Sequence, residues 1–192
     1  MIHIATNPNR EVSRQCLQWA NERFELTSIE ECDIFVSVLY DKIIKPEFIE
    51  SKKACLNFHP GILPAYRGCG ICSWVIINGE TEAGITLHEI DKGIDTGPII
   101  DIARFPVEPQ DTSEDVFRKG DETILQMFQK WMPLIATCQF ESKPQTEKGR
   151  LYLKKDLDVV KDLTPIIRAL TFGDKEASYY YDREGRRIDI RW

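Results

Sequence analysis

The sequence predicts an α/β fold, a mostly parallel sheet with helices on both faces, and three features carry that expectation. Apolar segments of strand length alternate with segments of helical period through the first 140 residues, as when successive strands are joined by crossover helices. Residues 33–39 (Asp-Ile-Phe-Val-Ser-Val-Leu) are apolar almost throughout, which suits a strand covered on both faces. With 192 residues, 42% of them hydrophobic and 29% charged, the chain can bury one good core.

Taken in order, residues 1–6 read as a first strand and 10–24 as an amphipathic helix, with Val12, Cys16, Leu17, Trp19 and Ala20 on its apolar face. The turn between them, Asn7-Pro8-Asn9-Arg10, is not the glycine-rich dinucleotide fingerprint and gives no support to a nucleotide cofactor. Free amides at a helix start can still bind an anionic group, which makes Arg10 a cationic candidate; a solvated arginine is the plainer account. After the strand at 33–39, residues 40–44 lead to a short helix from Pro46, and 54–58 form the next strand. In such Rossmann-like sheets ligands gather beyond the carboxyl ends of the strands, where Asn57, His59 and the loop after Leu39 meet.

Residues 55–68, Cys-Leu-Asn-Phe-His-Pro-Gly-Ile-Leu-Pro-Ala-Tyr-Arg-Gly, place Asn57 and His59 on alternate positions and then turn through Pro60, Gly61 and Pro64. Positions i and i+2 of a strand share a face, so the amide and the imidazole project together. An amide can stabilise an oxyanion and a histidine can exchange a proton. Each residue alone also fits a plainer role, Asn57 as a turn cap and His59 as a partly buried histidine. A second stretch, 84–100, runs as strand, then as a loop with Asp91, Gly93, Asp95, Gly97 and Pro98, then as strand again. Asp91 or Asp95 on that loop either faces the Asn57/His59 pair or sits in a solvated turn.

Residues 71–78 predict a short helix with Trp74 and Ile77 buried, ending near Gly79. Thr112 and Ser113 are both credible caps for a longer helix through about residue 135, with Val116, Phe117, Ile124, Met127, Phe128 and Trp131 mostly on one face. Beyond 137 the character changes. Residues 141–150 read as a polar linker, 151–156 as an edge segment and 164–170 as a brief helix; 177–181 and 186–190 flank a hairpin signal at 182–185. The expected division is a catalytic domain over 1–140 and a linker with a small carboxyl-terminal extension over 141–192.

A net charge of −6 argues against an extended nucleic-acid surface. No apolar run is long enough to span a membrane and no secretory signal opens the chain, so cytoplasmic residence is expected. The six cysteines are expected as free thiols. No further ligand follows Cys69-Gly-Ile-Cys72 at zinc spacing, so no metal site is expected. Phe172 and the tyrosines at 179–181 suit an interface as well as a core, which leaves a homodimer open.

Together the two stretches resemble the folate-dependent formyltransferase family, which includes glycinamide ribonucleotide, methionyl-tRNA and sugar N-formyltransferases. The resemblance is carried by Asn57, His59, Pro60, Leu63, Pro64, Tyr66, Arg67 and Gly68, and then by Gly79-Glu80, Gly84, Thr86, His88, Asp91, Gly93, Asp95 and Gly97. It implies the formyltransferase fold, shortened at its amino terminus, and closest to a short sugar N-formyltransferase. It implies 10-formyltetrahydrofolate as donor and Asn57, His59 and Asp95 as catalytic residues. Leu39, Tyr40, Ile43, Ile44, Asp91 and Ile94 would bind the folate ring, and Arg10, Tyr66 and Arg67 the substrate. Asp41 and Gly61 depart from the family, where glycine and serine respectively are common. The implied substrate is a small-molecule amine, a nucleotide-linked amino sugar first. Another amine (glycinamide ribonucleotide or a carrier-bound amino acid), a formyl-folate hydrolase and a non-catalytic folate-binding protein are the alternatives.

Overall fold

In the computed structural model of the chain, residues 1–153, 156, 163–170, 178–181 and 187–190 are described. In chain order the elements are β1 (Ile2–Thr6), α1 (Glu11–Asn21), β2 (Ile34–Val38), α2 (Pro46–Glu50), β3 (Ala54–His59), β4 (Tyr66–Gly68), α3 (Ile71–Ile77), β5 (Glu82–Glu89), β6 (Ile99–Pro106), α4 (Ser113–Ala136), β7 (Arg150–Tyr152), α5 (Leu163–Leu170), β8 (Ser178–Tyr181) and β9 (Arg187–Ile190).

The central sheet has five strands in the order β1-β2-β3-β5-β6. The pairs β1/β2 and β2/β3 are parallel, whereas β5 is antiparallel to both β3 and β6. Strand β5 therefore alone runs against the others, and the sheet is mostly parallel, as expected, with one reversal.

Period-two alternation decides what each face receives. Ile34, Val36 and Val38 of β2, Leu56 and Phe58 of β3, and Ile85 and Leu87 of β5 join the main core with Val12, Cys16 and Ala20 of α1 and Ile124, Phe128 and Met132 of α4. Removing each Val, Leu, Ile, Phe or Met side chain of this set from water contributes about 1.5–3 kcal/mol. The opposite face carries Ala5, Phe35 and Cys55, covered by Phe48 and Ile49 of α2. That same face takes Ser37, Asn57, His59, Thr86 and His88, all but Asn57 of them buried. A further cluster packs Trp74, Val75 and Ile76 of α3 against Tyr66, Tyr152 and Ala169.

Of the two cap candidates, Thr112 is the N-cap of α4. Its side chain accepts from the Asp115 N–H while the Asp115 carboxylate accepts from the Thr112 N–H, a capping box. Ser113 is instead the first helical residue and is buried.

The stretch expected as a linker is bonded to the sheet along much of its length. Lys143 exchanges two backbone hydrogen bonds of 2.8 Å with Ile99, and β7 pairs in parallel with β4. Strands β8 and β9 form the antiparallel pair that the hairpin signal predicts. Its turn at 182–185, Phe172 and the tyrosine side chains at 179–181 lie outside the described residues. Among the described residues, no helix is long and apolar enough to cross a membrane.

Candidate active site

Strand β3 sends Leu56 and Phe58 into the core and thereby turns Asn57 and His59 to the other face. In register, Ser37 of β2 and His88 of β5 lie opposite Asn57 on its two sides, and Thr86 lies opposite His59. His88, to which the sequence pattern assigned no chemistry, is thereby placed beside the amide: its Nε2 lies 3.3 Å from Asn57 Nδ2. Two polar residues at alternate positions beside Ile85 and Leu87, Thr86 and His88, were the available signal.

Hydrogen-bond roles follow from the acceptors. A carbonyl can only accept, so His88 Nδ1, 2.7 Å from its neighbour Glu89 O, carries a proton. Without a proton Nε2 accepts from Asn57, whose NH2 group faces it; with one it favours the charge of Asp95, whose Oδ1 lies 3.6 Å away. One N–H of Asn57 is so engaged and the second is left for the cleft. By the same logic His59 Nε2, 2.7 Å from Tyr66 O, donates to it. Its Nδ1 faces Asp95 Oδ2 at 3.5 Å. His59 is 3% exposed. Asn57 and His59 thus share a face, but only Asn57 borders the open cleft.

Asp95 joins these groups from the loop between β5 and β6. Its backbone has φ +52°, its Oδ2 accepts the Gly68 N–H at 2.8 Å, and its Oδ1 lies 3.6 Å from His88 Nε2. Burial raises the Asp95 carboxyl, but His88, His59 and the Gly68 amide together outweigh it and hold the group below its ordinary 3.8. For His59 burial dominates and pulls the imidazole below its ordinary 6.5; Asp95 and the Tyr66 carbonyl oppose it, and His88 adds to it. The carboxylate is the stably charged member, and His59 holds its second proton loosely.

The cleft in front of Asn57, His88 and Asp95 has a volume of about 460 Å³ and is walled by Tyr40, Ile43, Ile44, Ile90, Asp91 and Ile94. Ile43 and Ile94 are 97% and 56% exposed, apolar surface at the rim that a flat ring would cover. Asp91 braces the loop, accepting from Thr96 Oγ1 at 2.6 Å and from Gly93 N at 3.0 Å. Gly97 is required by close approach, since a Cβ there would lie 1.9 Å from Glu89 O. Leu39 corrects one expectation. It takes φ +57° and its side chain packs on the main core, so it is not part of the cleft wall.

The three residues expected to touch substrate are placed elsewhere. Tyr66 is 7% exposed; its hydroxyl donates to Glu80 at 2.6 Å and its ring stacks on Tyr152. It contributes to the site through its backbone carbonyl. Arg67 donates to Gly149 O at 2.6 Å and fastens the 141–149 stretch. Arg10 pairs with Asp121 at 2.6 Å and lies over the Phe117 ring. It lines a separate cavity of about 230 Å³, together with Gly61, Tyr66 and Asp121, none of which borders the cleft. In each case a partner distant in sequence captured the polar group.

Residues 5–131 match the pattern of a family described as "Formyl transferase". The chain belongs to the formyl transferase family. This formyl transferase family member is similar to methionyl-tRNA formyltransferase of Synechococcus sp. (strain JA-3-3Ab), 39% identical over 120 residues, which cover 62% of this chain and 34% of the relative. It is also similar to GDP-perosamine N-formyltransferase of Brucella melitensis biotype 1, 39% identical over 101 residues, 52% of this chain and 39% of the relative. The match thus spans between a third and two fifths of those relatives' own length. Among solved structures, the sugar 3N-formyl transferase WlaRD superimposes with a TM-score of 0.74 at 25% identity, covering 88% of this chain and 78% of that one.

Proposed function

We propose that this chain transfers a formyl group from 10-formyltetrahydrofolate to a primary amine, and that the amine belongs to a nucleotide-linked amino sugar. The observation that carries the reading is the convergence of Asn57, His88, Asp95 and, behind them, His59 at the floor of one cleft with apolar walls. Support for the folate and the sugar comes from the relatives: WlaRD was solved in the presence of dTDP and 5-N-formyl-THF, and the Brucella enzyme is named for GDP-perosamine.

As substrate, the folate would present its flat ring to Tyr40, Ile44, Ile90 and the two exposed isoleucines and its formyl group to Asn57. Transfer forms a C–N bond to the amine and breaks the bond to folate N10; the proton lost by the amine is the one that N10 gains. The free N–H of Asn57 stabilises the negative charge that develops on the formyl oxygen, with the other N–H fixed by His88. Asp95, ionised and within reach of both imidazoles, accepts the amine proton directly or through water. His59 Nδ1 shares that proton, because its charged form gains the Asp95 contact while burial keeps it ready to give the proton up. His59 acts here through Asp95 and not as a second donor to the oxyanion.

The identity to a methionyl-tRNA formyltransferase favours a second reading, an aminoacyl amine as acceptor. Single-turnover reactions with labelled donor and a panel of nucleotide-linked amino sugars, beside an aminoacyl ester, decide between them by where the label goes. Label recovered only as free formate would count against both. Asn57→Ala and Asp95→Asn should bind a folate analogue as the parent does while losing on the order of a hundredfold or more in kcat. Parental kcat in either variant would sink the mechanism.

A further inference from the structure

We propose that Gln145 is a positioning residue for this site: its side-chain amide, reaching in from the 141–149 stretch, holds the backbone at Asp95 in the turn that aims the carboxylate at the two imidazoles. The inference rests on the reading of Asp95 as the base.

Asp95 is a non-glycine residue at φ +52°, a conformation that L-residues enter at a cost and that needs support from its surroundings. Gln145 Nε2 supplies it, lying 3.0 Å from Asp95 O and 2.8 Å from Gly97 O. One NH2 group carries two donors, so both are spent on the carbonyls that flank Thr96. Turning the amide over would set its oxygen against two carbonyls and fixes the assignment. Among the described residues, no backbone N–H pairs with either carbonyl.

The amide is delivered from a fixed backbone. Lys143 is bonded in both directions to Ile99 on one side of Gln145, and Arg67 holds Gly149 O on the other. The same segment continues into β7, whose partner β4 supplies the Gly68 N–H to the Asp95 carboxylate. The Asp95 carbonyl is therefore tied to this strap directly, and its carboxylate through β4, the partner of β7. Residue 145 lies beyond the residues 5–131 that carry the family pattern.

Gln145→Ala and Gln145→Glu in the full chain test this with two readouts. Activity comes first: a misplacement of about 1 Å can cost a hundredfold, so kcat should fall roughly ten- to a hundredfold while KM for donor and acceptor moves far less. The introduced carboxylate, ionised, offers only acceptors to two carbonyls. Gln145→Glu should thus lose more than Gln145→Ala at pH 8 and regain part of the difference as it protonates towards ~4.3.

The second readout is histidine titration by NMR, which needs no turnover. The chain has three histidines, and His3 on β1, whose Nδ1 lies 2.9 Å from Thr27 O, serves as internal control. Asp95 and His88 are the ionisable groups set against His59, and His59 and His88 those set against Asp95. With Asp95 displaced, the His59 titration should move to lower pH, as in Asp95→Asn, with His3 unmoved. Parental His59 titration in both Gln145 variants overturns the proposal, whether or not kcat falls. If the parent forms no formyl-amine product yet the titration moves, the positioning role stands and the formyl-transfer reading falls.

Discussion

Strands β2 and β5 flank β3 on its two sides, and both are buried along nearly their whole length, yet they meet the cost of burial differently. Strand β2, Ile-Phe-Val-Ser-Val, meets it by packing: four of its five residues are apolar and fill the two faces of the sheet. Strand β5 buries Thr86 and His88 among Ile85 and Leu87. A buried polar group costs free energy unless it finds a partner. Thr86 Oγ1 donates to Gly61 O at 2.6 Å and accepts from Leu63 N at 3.1 Å, and His88 is engaged at both ring nitrogens. The partners are the turn after β3, the amide of Asn57 and the carbonyl of Glu89. One strand thus stabilises the sheet while the other uses equal burial to shape the site.

The largest effect should come from truncating β2. Ile34 is buried in the main core at the strand end away from Ser37. Ile34→Ala should lower unfolding free energy by about 2–5 kcal/mol in denaturant titration, with kcat per folded molecule unchanged. A clear drop in kcat at full folding would break the division, because it would make β2 part of the chemistry.

A middle effect is expected from β5. Thr86→Val keeps the shape but removes the hydroxyl, leaving Gly61 O and Leu63 N buried without their partner. The cost should be about 1–3 kcal/mol. Unlike the β2 variant, it should also reduce kcat, since Gly61 lies beside the ring of His59: a Cβ at that glycine would sit 2.7 Å from His59 Nε2. Equal stability loss with parental kcat would show that β5 packs as β2 does.

Much of this division could be read in the sequence, and what could not has a physical cause. Periodicity located the sheet and the main helices, and the alternation of Asn57 with His59 marked the right face. The pairing of Asn57 with His88 depended on β5 reversing direction, and local pattern does not reveal which way a strand runs. Strand β4 has only three residues, and its partner β7 follows far along the chain. Arg67 looked available to substrate because its acceptor, Gly149 O, lies 82 residues on. Leu39 left the expected wall because a positive φ turned its side chain to the other face. Gln145 sat in a stretch whose polarity spoke only of solvent. Apart from Leu39, the missed features are contacts between segments distant in sequence.

The smallest effect, a slope of stability with pH, sharpens the comparison by titrating only the β5 side of β3. His59 is the buried histidine whose folded value lies below its ordinary 6.5, so the unfolded chain binds more protons just under that pH. Stability from this group is therefore complete above 6.5 and declines as pH falls, by no more than about 1.4 kcal/mol per pH unit for one proton. Asp95, depressed below 3.8, adds a loss of the same sign only in stronger acid, where other carboxylates also titrate. Burial raises the Asp121 carboxyl from its ordinary 3.8 and so acts with the opposite sign, and the His59 share in the window between pH 4.5 and 6.5 is read as the difference between the parental and His59→Gln curves. Asp95→Asn removes the group that favours the charged ring, so the decline in that window should extend further towards acid; His59→Gln should flatten it. A His59 contribution flat from pH 6.5 to 4.5 would mean that Asp95 at least offsets burial at His59. Were that contribution also to fall as pH rises above 6.5, the folded value would be raised, and the proton shared with Asp95 would already be in place before the amine arrives.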